Sequence, residues 1–147
     1  QSDIRVLHTG YTTPEVVAGK KERYLNIMER WVEAHPQDYM ERSHVALTYY
    51  STDRLEEAER AYRKGLEHWE GDPTSIMNNL ALNLATQGYV DEAVEILEKA
   101  QSIAPDRMEV ERNLRIVRTL QETAHWSKKK KSDTKIKVVP KKKPNQA

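Results

Sequence analysis

TSIMNNLALNLATQGYVDEAVEILEKAQSIAPDR, residues 74–107, carries the pattern on which the fold turns. Leu80, Ala81 and Leu84 recur on one face of a helix, and Gly88 interrupts them. Ala93, Leu97 and Ala100 then recur on one face of a second helix, and Pro105 ends the unit. A shift of 35 residues lays the preceding stretch on this one: Val45-Ala46 falls on Leu80-Ala81, Tyr49 on Leu84, Glu57-Ala58 on Glu92-Ala93, and Tyr62 on Leu97. A period in the thirties means stacked helical hairpins instead of one spherical core. Ala81 and Ala93 mark where paired helices touch, since a larger side chain there pushes them apart.

These small and large residues, over Tyr39–Asp106, resemble the tetratricopeptide (TPR) repeat. The resemblance implies an all-α, right-handed solenoid. Working outward gives about six helices. Residues 1–19 form an N-terminal arm or the end of a preceding domain, and 20–37 a leading half-repeat closed by Pro36. Repeats follow at 38–73 and 74–107, then a capping helix at 108–126 and a disordered lysine-rich tail at 127–147. Asp38 with Glu41, and Asp106 with Glu109, have capping-box spacing. Thr13-Pro14 is a fair helix start, but Gly19 counts against that first turn and a half. From Lys20 the expected stripe is Tyr24, Ile27-Met28, Trp31-Val32 and His35; in the cap it is Val110, Leu114, Val117 and Leu120-Gln121. Asp53 stands where the second repeat has Gly88, a place that needs left-handed backbone. Arg115 stands where the repeats have Ala46 and Ala81, as suits a cap with a polar outer face.

Composition narrows the chemistry. The chain is 37% hydrophobic and 32% charged with no Phe, lean for a deep core but enough for a solenoid. It has no Cys, so thiolate metal sites and cysteine nucleophiles are excluded. No apolar run reaches the roughly 20 residues of a membrane helix. Nine of the 24 basic residues and one of the 23 acidic ones fall in 128–147, so the tail carries +8 and the remainder −7. The tail reads as a solubilising terminus, or as an electrostatic contact to nucleic acid or an anionic surface. No aromatic interleaves with its lysines, so single strands find no stacking platform there.

No two of the five His residues have helical metal-site spacing, and there is no phosphate loop or nucleophile elbow, so no catalytic residue is assigned. A binding groove is assigned from the first helices of the repeats: Ser43, Leu47 and Tyr50, then Asn78, Asn79 and Leu82, with Arg112 from the cap. Asn79 matches the central Asn of TPRs that clamp a peptide carboxylate. Ser43 and Leu47 stand where Lys and Asn are expected, and the cap offers Arg112 but Ile116. The groove suits a mixed polar and apolar peptide or a partner protein, self-association included; a plain solvated face is the competing reading.

Ile4-Arg5-Val6-Leu7-His8 reads as a short strand, and His8, Gly10 and Tyr11 with Lys20 and Arg23 resemble the end of the catalytic domain in bacterial family-two-type (GT-A) glycosyltransferases carrying C-terminal TPRs. That resemblance implies a cytoplasmic parent enzyme with a divalent metal and a nucleotide-sugar, His8 lying near the metal. No cofactor is expected within these residues, and the Asp-x-Asp motif is absent from them. The alternative is a freestanding TPR adaptor that binds a peptide or partner in its concave groove.

Overall fold

The computed structural model describes residues 13–136, with side chains to residue 130. Six helices and no strand make up the described residues: α1 (Pro14–Ala34), α2 (Tyr39–Ser51), α3 (Leu55–Glu67), α4 (Thr74–Gln87), α5 (Val90–Ile103) and α6 (Met108–Ile136). They fall into two compact units, the first ending at Glu70 and the second beginning at Gly71. The strand expected at 4–8 and the metal ligand expected at His8 lie outside the described residues.

In the first unit α1 starts at Pro14, not at residue 20. The Thr13 hydroxyl accepts from the Val16 N–H at 3.4 Å, and Pro14 supplies a φ already suited to a helix. Gly19 does not break the helix; a lone interior glycine costs only about 1 kcal/mol against alanine. The stripe that α1 buries is Leu25 and Val32, whereas Ile27 and Trp31 stay exposed. Within this unit α1 packs on α2 alone, so a narrow stripe is all it needs. The exposed Trp31 instead closes the helix end. Its ring stacks on His35 at 3.9 Å, and its Nε1–H donates to Asp38 Oδ2 at 3.2 Å.

Asp38 makes half of the expected capping box: Oδ1 accepts from the Glu41 N–H at 3.2 Å. The reciprocal half is not needed, because the Asp38 N–H already donates to the His35 carbonyl at 3.0 Å. The α2–α3 hairpin closes on Ala46 and Ala58, both at 0% exposure, with Val45, Tyr49 and Tyr62 buried around them. Tyr39 and Trp69 meet with ring centroids 4.6 Å apart, a closure at the site where the second repeat uses proline.

The turn between α2 and α3 has the same design as the one between α4 and α5. Asp53 has φ +62° and Gly88 φ +93°. The following amide in each returns to the carbonyl five residues back: Arg54 to Tyr49 and Tyr89 to Leu84, both at 2.9 Å.

In the second unit α4 and α5 close on Ala81 and Ala93, with Leu84 and Leu97 filling the contact. Helix α6 lies on both, burying Val110, Leu114 and Val117. Leu120, expected in that stripe, is exposed; Gln121 donates instead to Asp91 at 2.9 Å. Arg115 is exposed as a cap requires and pairs with Glu111 at 3.0 Å. The tail departs from expectation: α6 runs on to Ile136, ten residues past the boundary set at 126. Residues 127–136 hold neither Gly nor Pro, and lysine is a good helix former. The Ser127 hydroxyl donates to the Thr123 carbonyl at 2.9 Å, and Lys130 lies over the Trp126 ring at 5.0 Å.

Candidate peptide-binding faces

Each unit presents its own share of the expected groove. On α2, Leu47 and Met40 are about half exposed, and Ser43 and Tyr50 are partly buried. At 100° per residue these four share one side of α2, opposite the side that Val45 and Tyr49 turn into the unit. Its chemistry is mixed, with Met40 and Leu47 turned toward solvent and Ser43 and Tyr50 partly covered.

The second unit is better defined, because α4 and α6 contact each other. Asn78 is 2% exposed, and both ends of its amide are engaged. Its Oδ1 accepts from Asn113 Nδ2 at 2.8 Å, and its Nδ2 donates to Glu109 Oε1 at 3.5 Å. A buried amide left unpaired costs about 1–3 kcal/mol, so this pair fixes the register of α4 against α6. Asn78 is therefore a tie between helices and not a groove contact. Asn79, Leu82 and Arg112 remain accessible, and Ile116, at 53% exposure, joins them. Leu82 follows Asn78 by one turn and Ile116 follows Asn113 by nearly one, so each apolar side chain lies next to its own amide on the C-terminal side.

Next to this face, Arg107 binds the start of α4. Its guanidinium donates to Asp72 Oδ2 and to Ser75 Oγ, both at 2.6 Å, while Asp72 Oδ1 accepts the Thr74 N–H and hydroxyl at 2.9 and 2.6 Å. The Thr74 hydroxyl and amide, with Arg107, hold the Asp72 carboxyl below the ordinary aspartate range. Arg107 is thereby occupied, and Glu109 puts a carboxylate on the Asn78 amide. The face is not a cluster of free cations, so it lacks what clamps a peptide carboxylate.

Among the described residues no group of three His, Asp or Glu side chains could hold a metal. No helix among them is long and apolar enough to cross a membrane. Sequence reading missed Asn113, the partner of Asn78, and also Arg42. Arg42 is buried on α2, although a 35-residue shift lays it on Met77, itself buried in α4. That alignment was the available signal.

Comparison with known proteins supports the repeats. Tetratricopeptide repeat family models match residues 74–107 and 42–70. Among solved structures, the second TPR domain of the human RPAP3 protein in complex with the HSP70 peptide SGPTIEEVD is 19% identical. It covers 69% of this chain and 83% of its own, with a TM-score of 0.63. The first TPR of Spaghetti (RPAP3) bound to the HSP90 peptide SRMEEVD is 15% identical, covering 71% and 82%, with a TM-score of 0.65. At such identities the likeness is one of fold. No curated protein matches the chain. Nothing in these matches supports the glycosyltransferase resemblance or a bacterial source. Of the residues that carried it, His8, Gly10 and Tyr11 lie outside the described part, and Lys20 and Arg23 are exposed on α1. The six helices, the left-handed turns at Asp53 and Gly88 and the two family matches agree: the chain carries two tetratricopeptide repeats.

Proposed function

We propose that this chain is a protein-interaction module that binds an extended peptide segment against the open sides of its repeat helices. The observation that carries this reading is the α4–α6 face. There Ile116 is exposed and Leu82 partly so, each about one turn beyond its own member of an amide pair that is already satisfied, with Asn79 and Arg112 beside them. Peptide binding by two RPAP3 domains of the same fold adds support.

The peptide differs in kind from theirs. Glu109 lies against Asn78 and Arg107 is committed to Asp72, so an acidic carboxy-terminus meets Arg112 alone here where a carboxylate clamp offers several cations. The favoured ligand is a segment with an apolar side chain between Leu82 and Ile116 and a backbone or side-chain amide opposite Asn79. A phage-displayed peptide library selected on the full chain tests this. Enriched sequences should be apolar at one or two fixed positions and lose binding to Leu82→Asp. Enrichment of acidic carboxy-termini alone would overturn the assignment of ligand class.

A further inference from the structure

The first unit holds a cavity of about 220 Å³ on the other side of α2, away from Ser43 and Leu47. Helices α1 and α3 both pack on α2 but not on each other, and the cavity opens between them over Val45 and Tyr49. Arg42 is one of its walls. Only 8% of Arg42 is exposed, and one part of its role is structural. Pro36 has no N–H to give the Val32 carbonyl four residues back, and Arg42 Nη2 donates to that carbonyl at 2.6 Å. A guanidinium has five N–H donors, however, and Arg42 Nε is buried with no partner.

The surrounding charges are unequal in what they are free to do. Three carboxylates line the cavity: Glu29, Glu33 and Glu57. Glu29 accepts the Tyr49 hydroxyl, and Glu57 is paired with Arg54 at 3.0 Å. Three cations line it too, Arg42, Arg60 and Lys64, and none of them makes an ion pair among the described residues. The lining thus carries three carboxylates and three cations, Arg60 acts on Glu57, and what sets Arg42 apart is that its nearly dry guanidinium keeps one buried N–H unpaired. A buried charge without a counterion is unfavourable, and a carboxylate matches a guanidinium fork in shape.

We propose that this cavity is an oxyanion site that takes a carboxylate, held by Arg42 at the floor and by Arg60 and Lys64 at the rim. It is a separate site from the α4–α6 face and does not depend on it. The carboxylate belongs either to an acidic peptide or to a small free dicarboxylic acid, and the two are told apart by titration.

The experiment uses the full chain labelled with nitrogen-15 and follows the Arg42 Nε–H signal with the Val45 and Ala61 amides. Separate samples receive sodium succinate, a short peptide ending in two glutamates, or sodium chloride at matched ionic strength. The site requires a saturable shift with succinate or peptide that chloride does not reproduce. Stronger binding of the peptide assigns the carboxylate to a protein partner; equal or stronger binding of succinate assigns it to a small acid. Because Arg42 also closes α1, its removal could unfold the unit. Arg60→Ala with Lys64→Ala, at exposed helical positions, should instead weaken binding roughly threefold to tenfold with the fold intact. No saturable shift with either probe, an equal shift with chloride, or unchanged affinity in the double variant overturns the site.

Discussion

The two repeats solve one packing problem with different chemistry. At matched positions 35 residues apart, the first has Arg42, Asp53 and Tyr62, and the second Met77, Gly88 and Leu97. The second has a glycine where φ must be positive, Met77 where the first has Arg42, and a buried Asn78–Asn113 amide pair, although the buried Asn83 Nδ2 finds no partner. The first accepts a buried guanidinium, a non-glycine left-handed turn and a phenol in the core. The difference teaches that the hairpin depends on the small contacts, Ala46 with Ala58 and Ala81 with Ala93, and tolerates wide variation around them.

The largest expected effect is at the large core residues. Leu97→Ala should lower stability by about 2–5 kcal/mol, and Tyr62→Ala by a comparable amount, because each leaves a cavity in a contact that cannot collapse. Hydrogen exchange resolved by unit should place the first loss at 71–136 and the second at 13–70. Uniform loss across both in either variant would show that the units do not open separately.

Arg42→Met tests whether the matched positions are interchangeable. By sequence it copies Met77, but it leaves the Val32 carbonyl without a donor. Thermal unfolding should show a loss of about 1–3 kcal/mol. Unchanged or raised stability would mean that shedding the buried charge outweighs that bond.

Smaller still is the turn. Gly88→Ala should cost about 1 kcal/mol and Asp53→Gly should gain a few tenths to 1 kcal/mol, read from denaturant midpoints. Asp53→Gly losing stability would show that its side chain stabilises the turn by more than the backbone strain costs.

The least effect is one of pH. The native Asp72 carboxyl titrates below its unfolded value of about 3.9, so its contribution is fully present above that value and is lost as pH falls through the native pKa. Acid unfolding curves of the wild type and Asp72→Asn should therefore differ above about pH 4 and converge below it. Parallel curves at every pH would contradict the link.

Sequence made the hairpins legible because alanine spacing and turn residues act locally. Asp53 could be read as left-handed from its register with Gly88, and Arg115 as an exposed cap residue from its register with Ala81. What failed depended on partners. Whether Leu25 or Ile27 is buried depends on how α1 lies across α2, and the continuation of α6 past Trp126 depends on the absence of a breaker and not on a positive signal. Asn78 and Asn79 are adjacent and chemically identical. Only the position of Asn113 and Glu109 makes one a tie and leaves the other open.

The central claim is that the α4–α6 face binds peptide. The most direct measurement is the affinity of a library-selected peptide for the full chain, for Leu82→Asp and for Asn78→Ala, each checked by circular dichroism. The account predicts binding to the wild type in the micromolar range, at least about tenfold weaker binding by folded Leu82→Asp, and for Asn78→Ala a loss of stability with binding retained by the folded fraction. Equal affinity of Leu82→Asp and wild type for every selected peptide would contradict it.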